Sequence, residues 1–167
     1  GSYKTGQYIY EKVAPKMVPC QLELGGKDPL YVTDDISDIK SIAAGTADGA
    51  FYNNGQSCCS VERIYVHEKV YDKYVDEFVK EVKSWKLGNP NDEVYLGAIT
   101  RKPQLEFVES QVKDAVAKGA KILTGGKRVE GKGYFFEPTV LTDVNHTMSV
   151  MKEESFGPVI GIQKVKK

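Results

Sequence analysis

One segment of the sequence combines a cysteine with a residue that permits unusual backbone conformations. Cys58 ends the stretch Gly55-Gln56-Ser57-Cys58 and is followed at once by Cys59. A thiolate attacks carbonyl carbons well and is a good leaving group, so Cys58 is a candidate nucleophile. Gly55 reaches left-handed backbone conformations at little cost, which could aim the thiol and a backbone N–H at one point. We expect Cys59 to point elsewhere, into packing. From this segment alone, a buried and inert Cys58 remains the alternative interpretation.

A second segment carries a carboxylate that could serve as a general base. Glu23 lies between Leu22 and Leu24 and precedes the pair Gly25-Gly26. If its apolar neighbours desolvate it, the carboxylate becomes a better proton acceptor. A salt-bridged surface glutamate before a turn is the alternative, and the segment alone favours it. The segment is not a phosphate-binding loop, because the spacing G-x-x-x-x-G-K-[ST] is missing.

A third segment, Glu153-Glu154-Ser155-Phe156-Gly157-Pro158, places an aromatic residue and a Gly-Pro turn directly before an apolar run. Adjacent carboxylates are usually solvated charge. The Gly-Pro turn predicts a loop of defined conformation that leads into a strand. The periodicity of the sequence indicates no function for this loop.

The elements around these segments alternate between helical and strand-like patterns. Apolar residues at three- and four-residue steps predict helices over about 68–85, through 105–119 and over 39–51, the last with Asp35 or Ser37 as its N-cap. Short β-rich runs separate the helices and are expected to be strands: 30–32, 63–66, 121–123, 139–141 and 159–162. Strands that alternate with helices of this length indicate an α/β layered domain with a mostly parallel sheet. Cys58 then lies on a helix-to-strand connection, a usual place for functional side chains.

Composition excludes several classes of function. The chain has 167 residues, and 23 Lys and Arg balance 23 Asp and Glu, so neither nucleic acid nor an anionic membrane attracts it as a whole. No apolar run approaches the roughly 18 residues of a membrane helix. Three cysteines make an odd number for a disulfide framework, and the two histidines are isolated from any ligand spacing for zinc. We therefore expect reduced thiols and a cytoplasmic protein.

Taken together, the three segments resemble the aldehyde dehydrogenase superfamily. That family carries E-L-G-G-K at its general base, F-x-x-x-G-Q-x-C at its nucleophile and E-E-x-F-G-P near the nicotinamide ribose. All three patterns occur here in the family's order, with 58 − 23 = 35 positions from Glu23 to Cys58 and 154 − 58 = 96 from Cys58 to Glu154. Gly1-Ser2 followed by Gly6 also matches the family's F-T-G-S-x-x-x-G stretch.

The resemblance implies a role for each matched residue. Cys58 would be the nucleophile and Glu23 the general base. Glu154 would bind the ribose hydroxyls of NAD or NADP, Phe156 would pack beside the nicotinamide, and Ser2 would lie near the cofactor phosphates. The implied fold is a three-layer α/β domain, a mostly parallel sheet flanked by helices.

For the whole protein, the resemblance implies oxidation of a small-molecule aldehyde to a carboxylic acid by a homodimer or homotetramer. Residues 1–167 would be a fragment of the catalytic domain. We expect the dinucleotide-binding and oligomerisation segments to lie outside it, and the fragment alone to be inactive. One position departs from the family: many members have a lysine where Phe107 stands, which leaves a cofactor contact there in doubt.

Other functions remain open at this point. Some dehydrogenase folds serve as structural or binding proteins, although such members often lose the cysteine or the glutamate that Cys58 and Glu23 supply here. A cysteine hydrolase would need His67 or His146 beside Cys58. Relatives that pass the acyl group to coenzyme A usually lack a glutamate at position 23, so its presence favours hydrolysis.

Overall fold

A five-stranded sheet in the order β1-β2-β5-β4-β3 runs through the computed structural model, which describes residues 1–166. The strands are β1 (Pro29–Val32), β2 (Arg63–His67), β3 (Lys121–Thr124), β4 (Thr139–Thr142) and β5 (Val159–Val165). The β1–β2, β2–β5 and β5–β4 pairs are parallel, and only the edge strand β3 pairs antiparallel, with β4. The five predicted strands and the mostly parallel sheet are thus confirmed.

Four α-helices accompany the sheet: α1 (Tyr3–Val13), α2 (Ile39–Phe51), α3 (Tyr71–Ser84) and α4 (Lys102–Ala117). The last three correspond to the predicted helices, whereas α1 was not predicted. No helix within residues 1–166 is both long and apolar enough to cross a membrane.

Adjacent residues of the central strands belong to two different cores, which makes the domain three-layered. Val140 and Ile160 pack in the core formed with α2 and α3, whereas Leu141 and Val159 pack in the core formed with α4. Successive side chains of a strand point to opposite faces of the sheet, so the helices cover both faces. All four residues of β4 are buried, as expected of a strand covered on both sides.

The N-cap of α2 is Asp38, and the prediction of Asp35 or Ser37 is wrong. Helical geometry begins at Ile39, and the Asp38 carboxylate accepts a hydrogen bond from the Ser41 N–H at 3.0 Å. A cap must stand directly before the first helical residue to reach that donor. Asp35 instead accepts a hydrogen bond from the Thr33 hydroxyl in the turn after β1.

Candidate active site

The loop between α2 and β2 has a left-handed backbone at three successive residues. The φ angles are 52° at Asn53, 59° at Asn54 and 67° at Gly55. A Cβ at Gly55 would overlap with the carbonyl of Gly157. Glycine at this position is therefore what lets the loop that carries Cys58 lie against the loop at residues 154–158.

Two amide side chains fix the shape of this loop. The buried Asn54 side chain donates to the Gly97 carbonyl at 2.7 Å and accepts from the Gly97 N–H at 3.1 Å. The Gln56 side-chain oxygen accepts from the Thr100 N–H at 2.9 Å. Both residues thus shape the loop through backbone contacts.

Cys58 and Cys59 are both exposed, with 3.7 Å between their sulfur atoms. The expectation that Cys59 packs into the interior is wrong. Residues 57–60 form a tight turn in which the Ser60 N–H bonds to the Ser57 carbonyl and the buried Ser60 hydroxyl bonds to the same oxygen. The buried side chain of this turn is Ser60, which leaves Cys59 facing solvent. The hydrogen bond with the Cys58 thiol, followed by its charge, raises the pKa of Cys59.

Glu23 is exposed, in a segment where half-buried and exposed residues alternate. Leu22 and Leu24 therefore do not shield its carboxylate from solvent within the described residues. Alternation along the segment explains this result. Leu22 and Leu24 both approach Gly6 of α1 and are half-buried, whereas Glu23 between them is exposed. Its backbone carbonyl accepts a hydrogen bond from the amino terminus of Gly1 at 2.7 Å.

The carboxylate of Glu154 is seated on the Gly25-Gly26 turn. Its Oε1 accepts a hydrogen bond from the Gly26 N–H at 3.2 Å, and any side chain at Gly25 would overlap with the carboxylate. Desolvation raises the pKa of Glu154, partly opposed by the Gly26 N–H. The glycine pair after Glu23 therefore accommodates the Glu154 carboxylate: Gly25 leaves space for it and Gly26 donates a hydrogen bond to it.

A buried ion pair that the sequence did not predict connects the second and third segments through Glu62, which lies between the Cys58 loop and β2. Lys27 Nζ lies 2.6 Å from Glu62 Oε2 and donates to the Ser155 hydroxyl at 3.0 Å. Glu62 also accepts hydrogen bonds from the backbone N–H groups of Ser155 at 2.9 Å and of Phe156 at 3.0 Å. Burial lowers the pKa of Lys27, although Glu62 acts in the opposite direction. No periodic pattern in the sequence relates residues this far apart.

The two histidines are engaged away from the cysteines. The His146 ring stacks on Tyr65 and its Nε2 lies 2.7 Å from the Tyr65 hydroxyl. His67 lies near Asp34 at the end of β2. Residues 1–166 contain no group of three side chains that could hold a metal ion.

A cavity of about 580 Å³ brings four of the five candidate residues together, namely Ser2, Cys58, Glu154 and Phe156. Glu23 does not line it. The sequence assigned no role to Arg101 or Gln104, which also line the cavity, and Phe107 completes an aromatic wall with Phe156. Ser2 caps α1 and accepts a hydrogen bond from the Thr5 N–H at 3.3 Å, so the cavity adjoins a helix N-terminus.

Comparison with known proteins gives consistent matches over the whole chain. Residues 1–167 match the family described as "Aldehyde dehydrogenase family". The 3,6-anhydro-alpha-L-galactose dehydrogenase of Vibrio sp. (strain EJY3) is 41% identical over 98% of this chain and 35% of its own length. The solved structure of lactaldehyde dehydrogenase from Escherichia coli has a TM-score of 0.96 at 38% identity, over 100% of this chain and 35% of that one. The NAD⁺ complex of an aldehyde dehydrogenase from Bacillus cereus has a TM-score of 0.94 at 38% identity, over 100% and 34%. The chain thus spans about a third of the length of the relatives it matches.

Proposed function

Because the chain belongs to the aldehyde dehydrogenase family, we propose that it supplies the nucleophile side of a site that oxidises a small aldehyde to a carboxylic acid with NAD or NADP. The observation that carries this proposal is the shared cavity, which an exposed thiol, a carboxylate and an aromatic wall all line. The whole protein would be a cytoplasmic homodimer or homotetramer, with residues 1–167 as part of its catalytic domain.

Cys58 is the nucleophile in this proposal. Its thiolate forms a bond to the aldehyde carbon, and the carbonyl oxygen takes up the negative charge, which gives a thiohemiacetal. Loss of a hydride from that carbon leaves a thioester on Cys58. Water then attacks the thioester, the C–S bond breaks, and the thiolate leaves with the acid as product. The backbone N–H of Cys58 would support the oxyanion as it forms.

Glu23 is the proposed base that takes a proton from the attacking water. Its carboxylate forms no hydrogen bond or ion pair with the residues from 1 to 166, so it is free to accept one. The pKa of Cys59 is raised mainly by the Cys58 thiol, and the negative charge of Glu23 adds to this in the same direction.

The residues of the cavity fit a nicotinamide nucleotide. Phe156 and Phe107 offer aromatic surface, Glu154 offers a carboxylate for sugar hydroxyls, and the N-terminus of α1 at Ser2 offers a positive dipole end for phosphate. Bound there, NAD⁺ or NADP⁺ would supply the acceptor for the hydride. The solved structure of a 3,6-anhydro-L-galactose dehydrogenase in complex with NAP is 41% identical to this chain, with a TM-score of 0.95. This structure and the NAD⁺ complex from Bacillus cereus support either cofactor.

The test uses the protein expressed from its full reading frame, assayed with a panel of aldehydes by the appearance of reduced nicotinamide. Cys58→Ala is expected to lower kcat by at least about 10³-fold, because loss of a covalent nucleophile removes the whole route. Cys20→Ala is the matched control and keeps the rate within about twofold. Full activity in Cys58→Ala would contradict the proposal. A folded wild-type protein that oxidises none of the aldehydes would favour a structural or binding member of the family.

The isolated 167-residue chain is expected to turn over no aldehyde with either cofactor. It spans about a third of its relatives, and loss of positioning groups alone costs many orders of magnitude in rate. Reduction of NAD⁺ or NADP⁺ by the purified chain would contradict this expectation.

A further inference from the structure

We propose that Glu62, held by Lys27, is a positioning residue that fixes the backbone of Ser155 and Phe156 and so sets the cofactor side of the cavity. This inference rests on the proposed function and deepens it. Neither Glu62 nor Lys27 lines the cavity, so the pair acts through the residues it holds.

The first step is the contact between Glu62 and two consecutive N–H groups. Its two carboxylate oxygens accept from Ser155 at 2.9 Å and from Phe156 at 3.0 Å. Phe156 has a φ of 45°, a left-handed conformation that a bulky residue adopts only at a cost in energy. Consecutive N–H groups around such a residue form a concavity that binds anions. The carboxylate of Glu62 occupies this concavity in the way a bound anion would, and so it stabilises the strained turn.

The second step is the neutralisation of Glu62 by Lys27. Both side chains are almost fully buried, with 5% and 9% of their surfaces exposed. A buried carboxylate without a partner is costly, and Lys27 supplies the opposite charge that offsets this cost. Lys27 also donates to the Ser155 hydroxyl, which adds a third bond to the same turn.

The third step leads from the turn to the cavity. Glu154 and Phe156, the residues on either side of Ser155, both line it, and the Glu154 carboxylate rests on Gly26, the neighbour of Lys27. Release of the turn would therefore displace the carboxylate and the aromatic ring together. The Cys58 loop has its own ties at Asn54 and Gln56, so the effect is expected on cofactor binding and not on the thiol.

The first experiment measures amide hydrogen exchange at Ser155 and Phe156 in the full-length protein. Glu62→Gln, which keeps the shape and removes the charge, is expected to speed exchange of both amides at least about tenfold, as loss of a charge-assisted hydrogen bond implies. The double variant Lys27→Met with Glu62→Gln removes both charges and gives the same result if Glu62→Gln alone does not fold. Glu109→Gln on α4 breaks an exposed contact with Arg128; it is the matched control and leaves both amides unchanged. Unchanged exchange in the Glu62 variants would overturn the positioning role, whatever the enzyme does.

The second experiment measures the same variants in the full-length enzyme. Glu62→Gln is expected to raise KM for NAD⁺ or NADP⁺ at least about tenfold. KM for the aldehyde and the alkylation rate of Cys58 should stay within about twofold of wild type. Faster amide exchange with an unchanged cofactor KM would overturn the link to the cofactor, and so would equal increases in both KM values. A wild-type protein without dehydrogenase activity would overturn the proposed function and the cofactor link with it, while the exchange experiment still decides the positioning role.

Discussion

At the scale of single residues, the notable feature is a pair of adjacent thiols that share one exposed turn. Cys58 and Cys59 lie with their sulfur atoms 3.7 Å apart, and the buried member of the turn is Ser60. Only one of the two thiols lines the cavity. The raised pKa of Cys59 keeps its thiol protonated over a wider pH range, which lowers its reactivity toward electrophiles.

The first prediction follows from the cause of that raised pKa. Cys58→Ala removes the hydrogen bond and the charge that raise the pKa of Cys59. The thiolate of Cys59 should then form at lower pH, so its alkylation profile against pH is expected to move to lower pH. Site-mapped alkylation with iodoacetamide measures this profile, and Cys20 serves as the internal control because its rate should not change. A Cys59 profile that stays in place or moves to higher pH would contradict the prediction.

Local chemistry is predictable from the sequence only where neighbours along the chain decide it. Gly55 was expected to allow an unusual backbone, and the structure shows φ 67° there. The exposure of Glu23 and Cys59 depends on which way an extended segment or a turn faces, and residue types alone do not set that direction. The partnership of Lys27 with Glu62 depends on how three distant segments fold together, so no local signal could reveal it.

At the scale of elements, the apolar period predicts those helices and strands that bury a continuous face. Helix α3 places Tyr71, Tyr74, Phe78 and Val82 in the core, at the three- and four-residue steps seen in the sequence. Helix α1 was not predicted, and it buries little against the rest of the described chain: Gly6 is its only buried residue, and its tyrosines at positions 3, 8 and 10 are exposed.

The second prediction concerns the junction between α2 and the loop that carries Cys58. Gly55→Ala places a Cβ against the Gly157 carbonyl in a left-handed conformation. Strain and overlap together are expected to lower the free energy of unfolding by about 2 to 4 kcal/mol. Urea denaturation measures the change.

Gly45→Ala is the matched control for this variant. Gly45 lies inside α2 with nothing within 4 Å of the added Cβ. Alanine is the better helix former there, so we expect a gain of about 0.5 to 1 kcal/mol. Equal stabilities of the two variants would show that the left-handed turn carries no strain.

At the scale of the whole molecule, stability depends on a core that includes tyrosine hydroxyl groups. Tyr74 is fully buried between α2 and α3, and its hydroxyl lies 2.6 Å from that of Thr46. Tyr71 begins α3 and its hydroxyl bonds to the Ile162 carbonyl of β5 at 3.3 Å. Burial raises the pKa of Tyr71 to about 12, and it raises the pKa of Tyr74 as well. Ionisation of these two hydroxyl groups should therefore make the stability of the fold depend on pH in the alkaline range.

The third prediction is a loss of stability at alkaline pH that starts near the ordinary tyrosine pKa of about 10. Below that value both tyrosines are protonated in the folded and unfolded chain, so their contribution is fully present. Above it the unfolded chain ionises first, and the contribution falls as pH rises toward the folded pKa of Tyr71 at about 12. Each buried tyrosine adds up to about 1.4 kcal/mol per pH unit to this slope.

Urea unfolding at a series of alkaline pH values tests this prediction. The quantity to compare is the slope of the free energy of unfolding against pH, and not the free energy at any one pH. Tyr74→Phe loses the hydrogen bond to Thr46 at every pH, but it also removes one titrating group from the core. The slope between about pH 10 and 12 should therefore decrease by about 1.4 kcal/mol per pH unit. Tyr3→Phe, at an exposed position, is the matched control and should keep the wild-type slope. If both variants keep that slope, the alkaline loss of stability does not come from Tyr74, and the packing of α3 against α2 is not what high pH disrupts.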